Sequence, residues 1–501
     1  MKRLHCTLLA AALAATTALT APAVWADANR LAIDLVNEPT SLDPHLQWNP
    51  DSYYVYRNIF DNLLTRDDAG QIVPQIATAW EQVSPTEIVF TIRDDVKFHD
   101  GSALTPEDVV YSVQRITNKD FGSPQLSQFA TIASAEVLEG NKVKLTTKAP
   151  YPALMGQLVK LSIVPKAVVE AMGKEAFNQA PVGSGPYKFD GWDRGVEVRL
   201  TRNDDYWGQK GSFPAAVFRA VPDASTRVAN LVSGASDLVV TMDPDLAMQL
   251  EAADGVGPRS ALTERVAYLA LNGAKPGLDD LRLRQAIAHA IDRDLIVEGL
   301  LGGFDKPVGQ LLTPAHIGWV EGFEGVPYDP DKARALIAEV GEPAKRKLSF
   351  ATSPVFDQRI VQALQQMLTD VGLNVEIELT DMATYLKKVQ GDPAQSPDMS
   401  FGRWSCACQD ADGVVYPLLH SSSSWSRVRN VELDKVLESA RGELDPAKRV
   451  EDYRKVQEWI RDNVSQVPLY QAAIIYGASD NLKWQPTPNE SLFINRMSWS
   501  E

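Results

Sequence analysis

The chain has 501 residues, with 65 Asp and Glu against 49 Lys and Arg, and a net charge of −16. That balance disfavours nucleic acid and anionic membrane as partners, since both call for a basic surface. With 45% hydrophobic residues the chain can bury more than one core, and its length implies two or three domains.

Lys2 and Arg3 precede a Leu- and Ala-rich run ending at Ala23-Val24-Trp25-Ala26, the pattern of a signal peptide cut after Ala26. Thr16, Thr17, Thr20 and Pro22 interrupt that run, whereas a retained anchor needs about 20 unbroken apolar residues. Cys6 lies too early to be a lipid-attachment site. Cleavage removes two positive charges and no acid, which takes the net charge from −16 to −18. No later stretch is long and apolar enough to span a bilayer. Only Cys406 and Cys408 remain, and in an oxidising compartment a local bridge, two free thiols or a metal pair are the alternatives. A zinc site would need more Cys or His than His420 supplies, so no metal is expected.

In chain order, Leu31 to Val36 reads as a strand, followed by Asn37-Glu38-Pro39-Thr40-Ser41-Leu42-Asp43-Pro44 and then His45, Gln47, Trp48, Tyr53 and Tyr54. Aromatics beside amides suit stacking and hydrogen bonding to a polar ligand, although Tyr53 and Tyr54 fit the core better than a ligand role. Between Pro74 and Ile116, Ile88, Phe90 and Ile92 alternate as one strand face, and His99-Asp100-Gly101 forms a turn. Thr105-Pro106-Glu107-Asp108 then starts a helix with Val109, Val110, Val113 and Ile116 on its apolar row. His99 beside Asp100 lacks a nucleophile and a third partner, so the pair is a turn and not catalytic. Pro181 to Asp190 contains Gly183-Ser184-Gly185-Pro186. Neither GxxxxGK[ST] nor G-x-S-x-G is present, which leaves a tight turn.

Tyr268 to Leu271 is an apolar strand ending at Asn272-Gly273, and Asp279 or Asp280 caps a helix with the row Leu283, Ile287, Ile291 and Leu295 up to Gly302-Gly303. Asp329-Pro330 opens another helix, closed by Gly341. Leu348 to Ala351, a helix from about Phe356 to Val371, and Val375, Ile377 and Leu379 form a βαβ unit with parallel strands. Phe401 to Arg429 is the stretch richest in chemistry, carrying Arg403, Trp404, Asp410, Asp412, Trp425, Arg427 and Arg429. Asp445-Pro446 opens a further helix, before an apolar strand running to Tyr476.

These segments, in this order, resemble the extracytoplasmic solute-binding proteins of family 5, the peptide and nickel type that serves ABC importers. The likeness rests on SLDP at Ser41 to Pro44, the long run Pro74 to Ile116, GSGPY at Gly183 to Tyr187, RLRQAIAHAIDRDLI ending on Gly302-Gly303, YDP at Tyr328 to Pro330, and the Trp404 to Asp412 stretch. It covers nearly the whole chain after the leader. The resemblance implies an α/β, two-lobed periplasmic binding protein fold with a small inserted subdomain and mixed parallel sheets in each lobe. The implied divisions are a signal peptide at 1–26, the first lobe at 27–60, the insert at 61–180, the first lobe again at 181–270, the second lobe at 271–480, and a return at 481–501. The strand ending at Asn272 would be a crossing between lobes.

The implied function is capture of a peptide or peptide-like solute by hinged closure, without catalysis or cofactor. The partners implied are the ligand and the ABC permease and ATPase complex of the inner membrane. The protein should be a periplasmic monomer. A non-peptide solute (an oligosaccharide, an opine-like compound or a metal chelate) and a sensory role for a chemoreceptor are the alternatives, and an exported hydrolase is disfavoured. Expected ligand residues are Gln47, Trp48, Tyr53, Asn272, Arg403, Trp404, Ala407, Asp410, Trp425 and Arg429. In peptide-binding members an Asp three residues after the Trp holds the ligand's α-ammonium; here that position is Ala407. A desolvated ammonium without a carboxylate is costly. Either Asp410 substitutes, or the ligand has no free amine there and Arg403, Arg427 or Arg429 holds a carboxylate.

Overall fold

The computed structural model describes residues 30–47 and 49–500. The expected leader and Trp48 lie outside the described residues. Among those residues no helix is long and apolar enough to cross a membrane.

Two long antiparallel strands, Val256–Leu271 and Gln466–Ser479, organise the molecule. On one side of them lie Leu238–Val239, Arg30–Leu35, Ala215–Ala220, Glu197–Arg202 and Tyr187–Asp193. On the other lie Met399–Trp404, Lys347–Thr352 and Asn374–Leu379, so both bodies share one hydrogen-bonded series of strands. Alternating and continuous apolar runs explain the sidedness. Leu31, Ile33, Tyr54, Phe60, Phe218 and Tyr476 build one core, while Leu269, Ile287, Phe350, Leu364 and Leu469 build the other. Each fully buried side chain of this size contributes roughly 1.5–3 kcal/mol.

A third core, from Leu63 to Ile163, belongs to the four-stranded sheet of Ala77–Ser84, Glu87–Ile92, Lys142–Thr147 and Ile132–Leu138, and to the helix Pro106–Thr117. Thr105 and Asp108 form the reciprocal capping box at that helix's start. Val164, Val169 and Phe177 pack instead into the first core. The expected βαβ unit is present as Lys347–Thr352, Gln358–Asp370 and Asn374–Leu379, with its two strands parallel.

One expectation needs adjustment. The single helix through Leu283 and Leu295 is two helices, Leu281–His289 and Arg293–Leu300. Asp292 caps the second by accepting from Leu295 N, an alternative to continuing the first, and Leu295 is 59% exposed. Along Gln466–Ser479 the packing changes from the second core at Ala472 to the first core at Ile474.

Candidate ligand cleft

At the change of cores the pairing slips. Leu262 faces Ala473 and Val266 faces Gln471, so Thr263, Glu264 and Arg265 bulge opposite Ala472 alone. Thr263 fixes the bulge: its Oγ1 donates to Ala472 O at 2.7 Å, Gln471 Nε2 donates to Thr263 O at 2.7 Å, and Arg265 N donates to Thr263 Oγ1 at 3.2 Å. Bulges re-aim side chains, and this one turns Glu264 and Arg265 into the space between the bodies.

That space has two compartments sharing Pro50, Arg265, Trp404 and Glu490. The first, about 450 Å³, is lined by Tyr53, Lys160, Glu264, Ala407, Asp412 and Arg441 among others. The second, about 630 Å³, is lined by aromatic residues Tyr268, Phe356, Tyr385, Trp425 and Tyr470, with Asp305 and Arg403. Both volumes suit a ligand of small-peptide size. Trp404 stands between them: its Nε1 donates to Gly413 O at 2.9 Å, and its ring meets Trp425 edge-on at 5.0 Å.

Electrostatics differ around the cleft. Arg265 pairs with Glu490 at 3.1 Å, and Glu490 raises its pKa. Burial pushes Glu264 up to about 7 and Lys160 down to about 7. Lys160 Nζ donates to Gln128 Oε1. Burial also raises Asp305 to about 6, although it accepts from Ala473 N at 3.0 Å, and it lowers Arg403.

The loop after Trp404 is held from both sides. Cys406 and Cys408 are disulfide-bonded with a Cα–Cα distance of 5.0 Å, which places Ala407 on the wall of the first compartment. Across the cleft Arg66 Nη2 donates to Cys408 O at 2.7 Å, and Tyr151 OH donates to Asp412 Oδ2 at 3.1 Å. Gly156 approaches so closely that a Cβ there would lie 2.3 Å from Cys408 O. Gly183 and Gly185 are likewise required, because a Cβ on them would lie 2.0 and 2.8 Å from Ile59 O.

Of the residues expected from sequence, Tyr53, Arg403, Trp404, Ala407 and Trp425 line the cleft. Asp410 does not. It is 1% exposed, is held bidentately by Arg449 at 2.6 and 2.7 Å, and accepts from Asp412 N at 2.9 Å. Asn272 ties its own turn to Pro393 O and Pro397 O, Arg429 donates to Ser426 O and Val428 O, and Gln47 donates to Thr40 Oγ1; none of the three lines either compartment. His99 holds Gly183 N and Gly185 O, a structural tie. His420 stacks on Tyr416 and reaches Ser422. Among the described residues no group of three His, Cys, Asp or Glu is placed to hold a metal. Sequence reading missed Lys160, Glu264, Arg265 and Asp305. The one signal for two of them was the Thr263-Glu264-Arg265 interruption ahead of an apolar strand.

The sequence profile described as bacterial extracellular solute-binding proteins, family 5 Middle, matches residues 71–426. Glutathione-binding protein GsiB of Escherichia coli (strain K12) is 26% identical over 488 residues, covering 94% of each chain. GsiB of Pectobacterium atrosepticum is 27% identical over 463 residues, covering 89% of each. Among solved structures, CtaP of Listeria monocytogenes superposes with a TM-score of 0.86 at 23% identity, covering 94% of this chain and 99% of its own. HbpA2 of Haemophilus parasuis gives 0.84 at 23%, covering 94% and 100%. These likenesses place the fold among two-lobed binding proteins.

Proposed function

Since the chain belongs to the bacterial extracellular solute-binding proteins of family 5, we propose that it captures a peptide or peptide-like solute and delivers it to an ABC importer. The observation that carries this reading is the two-compartment cleft at the bulged crossing of two strands, with an aromatic half and a charged half. Two crossing strands make a hinge, and closure buries the solute between the bodies. Aromatic walls supply stacking area, and Arg265, Lys160, Glu264 and Arg403 supply charge complementarity in a desolvated space. The naming of curated relatives as glutathione-binding supports a peptide-like solute.

On this reading the leader is removed on export, the protein works as a monomer in the periplasm, and the closed form docks on a permease driven by an ATPase. It carries out no catalysis. The test is a thermal-shift screen of protein that has been unfolded, freed of carried ligand and refolded. Di- to pentapeptides, glutathione, oligosaccharides and opines form the panel. A compound at 100 times its Kd adds about 2.7 kcal/mol of stability. Stabilisation by a peptide or by glutathione is the expected result; stabilisation by sugars or opines alone would refute the peptide reading.

A further inference from the structure

Three acids line the first compartment, and two are already engaged. Glu490 pairs with Arg265, and Asp412 accepts from Tyr151 and sits 3.6 Å from Arg441, while Asp410 lies behind the loop, consumed by Arg449. Glu264 differs. It is 5% exposed, it lines the cavity, and its Oε2 reaches no hydrogen-bond partner among the described residues. A buried carboxylate oxygen left unsatisfied is expensive, and a fold retains it where a partner arrives from outside.

We propose that Glu264 receives a positively charged amine of the ligand, in place of the acid missing at Ala407, resting on the peptide-type reading above. The bulge makes this geometry: Thr263 is stapled to the second crossing strand, so the next side chain projects into the cleft from the hinge itself. Ala407 lines the same compartment. The anchoring charge has therefore moved from the loop of one body to the strand shared by both. The ionisable groups facing Glu264 are Lys160, Arg265 and Glu490. Burial holds its carboxyl partly protonated near neutral pH, so an arriving ammonium displaces that proton to the buffer and leaves a carboxylate paired with a cation.

The experiment uses di- to tetrapeptides and glutathione, each with a free amine and as its N-acetyl derivative, against the parent protein and Glu264→Gln. At least one free-amine compound should bind the parent, with its N-acetyl form and the Gln variant each weaker by roughly 10- to 100-fold. Calorimetry of the parent in buffers of different ionisation enthalpy should show proton release near pH 7 for the free-amine compound alone. The release should be lost in Glu264→Gln, because a proton given up by Lys160, which burial also lowers to about 7, would be released in both proteins. Equal binding of N-acetyl compounds, unchanged affinity in Glu264→Gln, or absence of proton release would overturn the role of Glu264 while leaving the peptide reading intact. Failure of every compound to bind the parent would remove both.

Discussion

Replacing Asp410 by Ala should destabilise the fold far more than it changes ligand preference. The carboxylate accepts two short charge-assisted bonds from Arg449, at 2.6 and 2.7 Å, and both side chains are at most 4% exposed. Arg449 also donates to Ala440 O and Tyr453 OH, so its guanidinium is fixed and cannot swing to water. Each charge-assisted bond is worth about 1.5–3 kcal/mol, and a buried cation stripped of its partner costs about 3–5 kcal/mol. The expected loss for Asp410→Ala is therefore about 4 kcal/mol. Urea unfolding followed by Trp fluorescence measures it, with Arg449→Met and the double variant completing a cycle. Because Met leaves no orphaned charge, the double variant should lose clearly less than the two single losses together. A loss under about 1 kcal/mol for Asp410→Ala, or simple additivity across the cycle, would refute the reasoning.

Glu264→Gln should reverse the usual sign of a core substitution. In the folded chain Glu264 titrates at about 7 against a reference of 4.5, so the native state holds an extra proton between those values. The parent therefore loses stability as pH rises through that window, by at most about 3 kcal/mol, and the variant does not. Urea midpoints should place the variant above the parent at pH 8 and level with it at pH 4; a variant weaker at pH 8 contradicts the burial argument. Gly156→Ala puts a Cβ 2.3 Å from Cys408 O across the cleft. It should cost about 1–3 kcal/mol of stability, since the facing backbone must shift, and it should enlarge the radius of gyration by X-ray scattering; parent-like stability and scattering would show that the fold does not need this approach. Reducing Cys406–Cys408, or replacing both by Ser, opens a three-residue loop and should cost about 1–2 kcal/mol by chain entropy. An unchanged thermal midpoint in reductant would count against it.

Much of the architecture was legible because local chemistry and tertiary packing agree. Thr105 with Asp108, Asp280, Asp329 and Asp445 cap the helices their sequence positions announce, and the βαβ pattern of residues 347–379 survives intact. The break at Ala290–Asp292 was hidden because the four-residue apolar spacing runs through it, while Asp292 offers a competing cap. In the cleft, aromatic residues after Trp404 could be read as platforms from their density alone. Glu264 and Arg265 could not, because two adjacent charges in a strand ordinarily mark a solvent face. Only the register slip against Ala472 turns them inward. Asp410 misled for the opposite reason: an acid in a chemically rich loop invites a ligand role, and its true partner, Arg449, lies 39 residues away.

Both described ends of the chain pack on the same body: Leu31 and Ile33 belong to the first core, and so do Leu492, Ile494 and Met497. The second body is thus strung between the two crossing strands, which run antiparallel side by side. Tension applied between Arg30 and Ser500 enters and leaves through one body, and it reaches the other only after the first has given way. Stretched by its ends, the molecule should surrender in two steps, with the hinge and the second body mechanically sheltered until the last.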